Sequence, residues 1–117
     1  MADQLEIRLP KTVYNERTAF TATAIFKTRA TQADSTPTTA EYKLFNMSSG
    51  ETIKDWTSLT PAASISISVS AIDNKIKADY KPTERMALLV SADRGLSTEV
   101  LQEIHYRLMN VGGFTES

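Results

Sequence analysis

The sequence predicts an all-β chain, a two-sheet sandwich of about seven antiparallel strands, on three observations. The run SISISV at 64–69 sets Ile65, Ile67 and Val69 against Ser64, Ser66 and Ser68, the period of a strand with one buried face. Similar short runs recur along the chain, separated by polar segments that carry Pro10, Pro37, Gly50, Pro61 and Gly95. Serine and threonine are interleaved with Ala, Ile, Val and Phe, and a threonine on the wet face of a strand keeps its β-branch while staying hydrated. Neither sheet would cover its apolar face alone, so packing the two together removes both from water.

In chain order, QLEIRL at 4–9 places Leu5, Ile7 and Leu9 opposite Gln4, Glu6 and Arg8, and Pro10 ends the run by removing a backbone donor. It reads as an edge strand of the same domain or as an arm that adds to a neighbouring subunit's open edge. KTVYNER is a polar link, which sets residues 1–17 apart from a sandwich over 18–109. TAFTATAIFKT at 18–28 is a long strand with Phe20, Ala22, Ala24 and Phe26 on one face. RATQADSTPT at 29–38 is turn-rich and reads as a mobile surface loop, either a connector or a binding loop.

The stretch 40–69 organises the rest. Ala40, Tyr42 and Leu44 share the inward face of a strand, while Phe45 lies on the other face and needs a cover or a neighbour. MSSGET suits a hairpin turn with Gly50 at positive φ. Ile53 and Trp56 on the return strand are three apart, so a bulge near Lys54 or Asp55 is needed to put both on one face. As the only tryptophan, Trp56 is expected to pack inside or between the sheets, with an exposed interface anchor or sugar platform as the alternative. After Pro61 comes the alternating strand. SAIDNKI then fits one helical turn capped by Ser70 and Asp73, with Ile72 and Ile76 plugging the core. Residues 84–91 carry Met86, Leu88 and Val90 on one face and Ala87 and Leu89 on the other, a strand buried on both sides, and Gly95 takes the following turn. TEVLQEIHYRLM at 98–109 supports a helical stripe or a strand; the tight turn just before it favours an antiparallel return. NVGGFTES at 110–117 is a flexible tail in which Phe114 is the apolar residue able to dock.

Composition narrows function. A chain of 117 residues makes one domain, and its net charge of −1, with Lys and Arg scattered singly, does not suit general nucleic-acid binding. With no cysteine there is neither a disulfide nor a thiolate ligand or nucleophile. Asp3 and Glu6 stand where an export leader would be basic, and no apolar run reaches the length of a membrane span. The single histidine, His105, beside Glu103 and Arg107, reads as a surface residue. No calcium-loop spacing, phosphate loop or nucleophile elbow is present, so neither catalysis nor a cofactor or metal is expected.

The order YKLFNMSSGETIKDW, LTPAASISISVS, AIDNKI and ERMALLVSA resembles the small immunoglobulin-like structural proteins of tailed bacteriophages. The resemblance rests on Tyr42, Lys43, Leu44, Ser49, Gly50, Ile53, Asp55, Trp56, Thr60, Pro61 and the turn 71–76, and extends over roughly residues 18–109. It implies an immunoglobulin-like sandwich that acts as a virion component at the capsid, the head–tail junction or the tail. Such a protein assembles in the host cytoplasm, in many copies or as a homo-oligomer, through contacts with other virion proteins. On that view Leu5, Ile7, Leu9, Phe45 and Phe114 are the candidate assembly contacts. The alternative from another class is a sandwich module that binds host glycans through Trp56 with Tyr14, Tyr80 and Tyr106. The sequence departs from antibody domains in lacking a cysteine pair around a buried tryptophan.

If the inward assignments hold, Ile67→Ala or Phe26→Ala should cost about 2–5 kcal/mol in equilibrium unfolding. An unchanged melting temperature would show that the core has been misplaced.

Overall fold

The computed structural model describes residues 4–15, 17–71, 73–74, 83–96 and 99–109, which form two packed sheets without a helix. The strands are β1 (Gln4–Arg8), β2 (Val13–Asn15), β3 (Phe20–Thr28), β4 (Ala33–Asp34), β5 (Ala40–Asn46), β6 (Glu51–Leu59), β7 (Ser64–Val69), β8 (Thr83–Ala92) and β9 (Val100–Met109). In the first sheet β3 is central, with β1 along one side and β7 and the short β4 along the other. The second sheet runs β2-β9-β8-β5-β6. Assigning the first, third and seventh strands to one sheet and the fifth, sixth, eighth and ninth to the other gives the immunoglobulin-like order, and the sandwich is the fold the sequence predicts.

The inward faces follow the alternation. Phe20, Ala22, Ala24 and Phe26 of β3 and Ile65, Ile67 and Val69 of β7 meet Met86, Leu88 and Val90 of β8 and Tyr106 and Leu108 of β9 in one core. The run at 98–109 is a strand from Val100 and pairs with β8 from Ala92↔Val100 to Thr83↔Met109. Leu and Glu prefer helix locally, but ten residues of ladder against a buried neighbour outweigh that preference. Gly50 and Gly95 take the positive φ expected of them, 78° and 87°. The hairpin before β6 is also set by Asn46, whose Oδ1 accepts from the Ser48 and Ser49 amides at 2.9 Å each, while its Nδ2 donates to the buried Glu84 at 3.0 Å.

Of the two readings of residues 4–9, the edge strand of the same domain is the one seen: Gln4–Arg8 pairs with β3. Other expectations are corrected. KTVYNER is not a plain link, since β2 lies within it and pairs in parallel with β9, burying Tyr14. The loop 29–38 folds back as the β3–β4 hairpin, with the Gln32 amide donating to the Thr28 carbonyl at 2.7 Å and Pro37 buried. The strand register shifts between Tyr42 and Leu44, opposite Thr57 and Lys54, so the bulge is where it was expected. It does not bring Ile53 and Trp56 together: Ile53 packs against the core and Trp56 does not. Of the helical turn after β7, the Asp73 amide donates to Ser70 Oγ at 3.2 Å, while Ile72 and Ile76 lie outside the described residues.

One end of the sandwich is closed by a polar and aromatic joint. Tyr14 stacks on Phe20 with ring centroids 4.3 Å apart, and Tyr106 meets Phe20 edge-on at 5.0 Å. The Tyr106 hydroxyl donates to Asn74 Oδ1 at 2.6 Å, and Asn74 Nδ2 donates to the Thr18 carbonyl at 2.6 Å. The Asn74 carbonyl accepts from the Arg17 amide at 2.8 Å. Burial, helped by the charge of Asp73 and by Tyr14, raises the Tyr106 phenol well above its ordinary value. The folded state therefore keeps this proton after the unfolded chain releases it. The stabilisation is complete below about pH 10 and is lost as pH rises toward the folded-state value.

Asn74→Ala should cost about 2–3 kcal/mol and Tyr106→Phe about 1–2 kcal/mol, with the double variant less destabilised than their sum. Urea titrations at neutral pH test this. Above pH 10 the wild type should lose stability faster than Tyr106→Phe.

Candidate functional site

Four of the five candidate assembly contacts lie among the described residues. Leu5 and Ile7 are each only 7% exposed, opposite Phe26 and Ala24, and Leu9 packs half-buried against the same core. Alternation made them apolar for the interior of their own chain. Phe114 lies outside the described residues. Phe45 is half-buried on the outer face of the five-stranded sheet.

That face is built in rows, because residues directly opposite in a ladder point the same way. Across β9, β8 and β5 the central row is Glu103, Leu89 and Lys43. The next is His105, Ala87 and Phe45, and on the other side lie Leu101, Ser91 and Glu41. Lys43, Phe45, Met47, Ala87, Leu89 and Glu103 line one shallow depression of about 200 Å³. Met47 and Leu101, 40% and 52% exposed, extend its apolar character. An antiparallel sheet with one wet face normally alternates polar residues there. Here β8 puts Ala87 and Leu89 on the outside, and Ala87 is only 2% exposed beneath its neighbours.

The two ends of the face differ in charge. At one, Arg85 and Arg107 stand directly opposite each other, and neither guanidinium forms an ion pair with a described residue. Like charges in that position repel, so the pair suits an external carboxylate or another anion. At the other end Arg94 makes two hydrogen bonds to Glu41, 3.1 and 3.0 Å, and lies 4.8 Å over the centre of the Trp56 ring. Trp56 is thus neither a core residue nor a bare platform. A half-buried ring on a bulged edge strand is covered by a cation already held in place.

Asp93, at φ 55° in the same turn, accepts from the Thr38 and Thr39 amides at 2.9 and 3.1 Å and so fixes the start of β5. His105 contacts the Glu103 carboxylate on this outer face, and both side chains are partly exposed. Tyr14, Tyr42 and Tyr106 are interior, so none joins Trp56 in an aromatic surface, and Tyr80 lies outside the described residues. Among the described residues no three His, Asp or Glu side chains group as metal ligands. Nor, among the described residues, is any helix long and apolar enough to cross a membrane.

Sequence reasoning missed Leu89, Ala87, Lys43 and Glu103 as members of a site. The signal was present in the doubly apolar run ERMALLVSA and in Phe45 on the wrong face of its strand. What was missing was the register that sets them side by side. Fold and face together define a β-sandwich with one partly apolar outer surface. Compared with models of known families and with curated proteins, the sequence has no match.

Ser91 Oγ is the buried side-chain polar atom without a hydrogen-bond partner among the described residues. Ser91→Ala removes that desolvated hydroxyl and should raise stability by about 1 kcal/mol. The check is a higher urea midpoint at unchanged slope.

Proposed function

We propose that this chain is a non-enzymatic structural protein of a tailed-phage virion, held in place by subunit contacts on the outer face of its five-stranded sheet. The observation that carries the contact role is the strip Phe45, Ala87 and Leu89 on a face that a solitary sandwich would keep polar. An apolar centre flanked by Lys43, Glu103 and the Arg85–Arg107 pair has the anatomy of an interface, with a dry middle and a charged rim. The virion assignment rests on the resemblance carried by the stretch 40–76. It covers capsid decoration, the head–tail junction and the tail alike. The partners are other virion proteins, whose carboxylates would meet Arg85 and Arg107, and the protein is assembled in the host cytoplasm without a cofactor. A glycan-binding role lacks support from the described aromatic residues, because the tyrosines face inward and Arg94 covers Trp56.

The test is incorporation into particles of the parent phage. Leu89→Arg and Phe45→Asp, each confirmed folded by its thermal transition, should lower occupancy at least about tenfold, as expected for residues at the centre of an interface. Wild-type occupancy by both would end this reading of the face.

A further inference from the structure

We propose that a second copy of this chain occupies the outer face of the five-stranded sheet, the two sheets packing face to face about a two-fold axis that lies in the interface plane along β8. The inference rests on reading this face as an interface, and it names the partner and the geometry.

The charge pattern selects this arrangement. Glu103, Leu89 and Lys43 form one straight row across β9, β8 and β5, with the acid and the base on opposite flanks of an apolar centre. Turning one copy over about an axis along β8 lays each β9 on the other copy's β5. Glu103 then faces Lys43 twice, and Leu89 meets Leu89 on the axis. An axis across the strands would instead set Glu103 on Glu103 and Lys43 on Lys43. Two-fold association requires a surface that complements itself, and this row does so in one orientation only.

The neighbouring row fits the same operation. His105 comes over the Phe45 ring, and Ala87 faces Ala87. The small Ala87 side chains let the sheets approach to about the 10 Å of ordinary face-to-face packing. Sheets packed in this way cross at roughly 30°, so Arg85 and Arg107, one row farther from the centre, swing apart from their copies. Within one chain Glu103 already contacts His105, and its carboxylate has a second oxygen to offer Lys43 of the other copy.

The experiment is sedimentation velocity on the purified chain across a range of concentrations. The wild type should form a reversible dimer. Lys43→Glu, which leaves the Glu103–His105 contact intact, and Glu103→Lys should each weaken the dimer at least about tenfold. The double reversal should restore it to within about threefold of wild type, because the opposite charges face each other again. Leu89→Arg should be monomeric, and if that variant does not fold, the charge-reversal set still decides. A wild type that stays monomeric at every concentration, or a double reversal no better than the single ones, overturns the two-copy geometry. If either result accompanies a loss of Leu89→Arg from particles, the face remains an interface and its occupant is a different protein.

Discussion

The structure depends on satisfying buried polar groups where the two sheets are joined. Two apolar faces attract without direction, and their connections carry backbone groups that cannot be left dry and unpaired. Asn74, in the crossover after β7, meets this requirement with one side chain. It reaches the Thr18 carbonyl just before β3 and receives the Tyr106 hydroxyl from β9, so both sheets are referred to the same point. The stacked pair Tyr14–Phe20 and the edge-on Tyr106 fill the space around it. Asp93 plays a comparable role at the turn after β8, where its carboxylate receives two amides from the entry to β5.

With both joints set, β8 becomes the strand on which core and surface meet. Its inward residues Met86, Leu88 and Val90 are fully buried, and its outward Ala87 and Ser91 are buried as well. A strand packed on both faces has little freedom to shift, so its outward side chains stay in fixed rows. The rows of the outer face therefore inherit their order from the same ladder that builds the core. Changes to that ladder would disturb the core and the outer rows together, whereas Lys43 can change without touching either the core or the Glu103–His105 contact.

Much of this was legible in the sequence. The strict alternation of β7, the inward phenylalanines of β3 and the two-sided apolar run of β8 each lie where the pattern put them. Period-two alternation is a local property and survives reading one residue after another. The failures were non-local. β2 is three residues long, too short for any periodicity, and exists because β9 lies beside it. Residues 4–9 read both as an edge strand of this domain and as an arm for a neighbour, because a strand's sequence does not say whether its partner belongs to the same chain. Trp56 was expected inside, yet the bulge at Asp55–Trp56 and a guanidinium from a turn distant in sequence set its surroundings. The outer face was the hardest to see, since its rows exist only once three strands are in register.

The division of the N-terminal segment between the sheets has a mechanical side. β1 is stitched to β3 in one sheet and β2 runs parallel to β9 in the other, so the beginning of the chain lies against its last described strand. Tension applied between Gln4 and Met109 would act along these strands. It would load the hydrogen bonds of both ladders in shear, many at a time, instead of peeling them open singly. The five residue pairs between β1 and β3 and the three between β2 and β9 would share such a load.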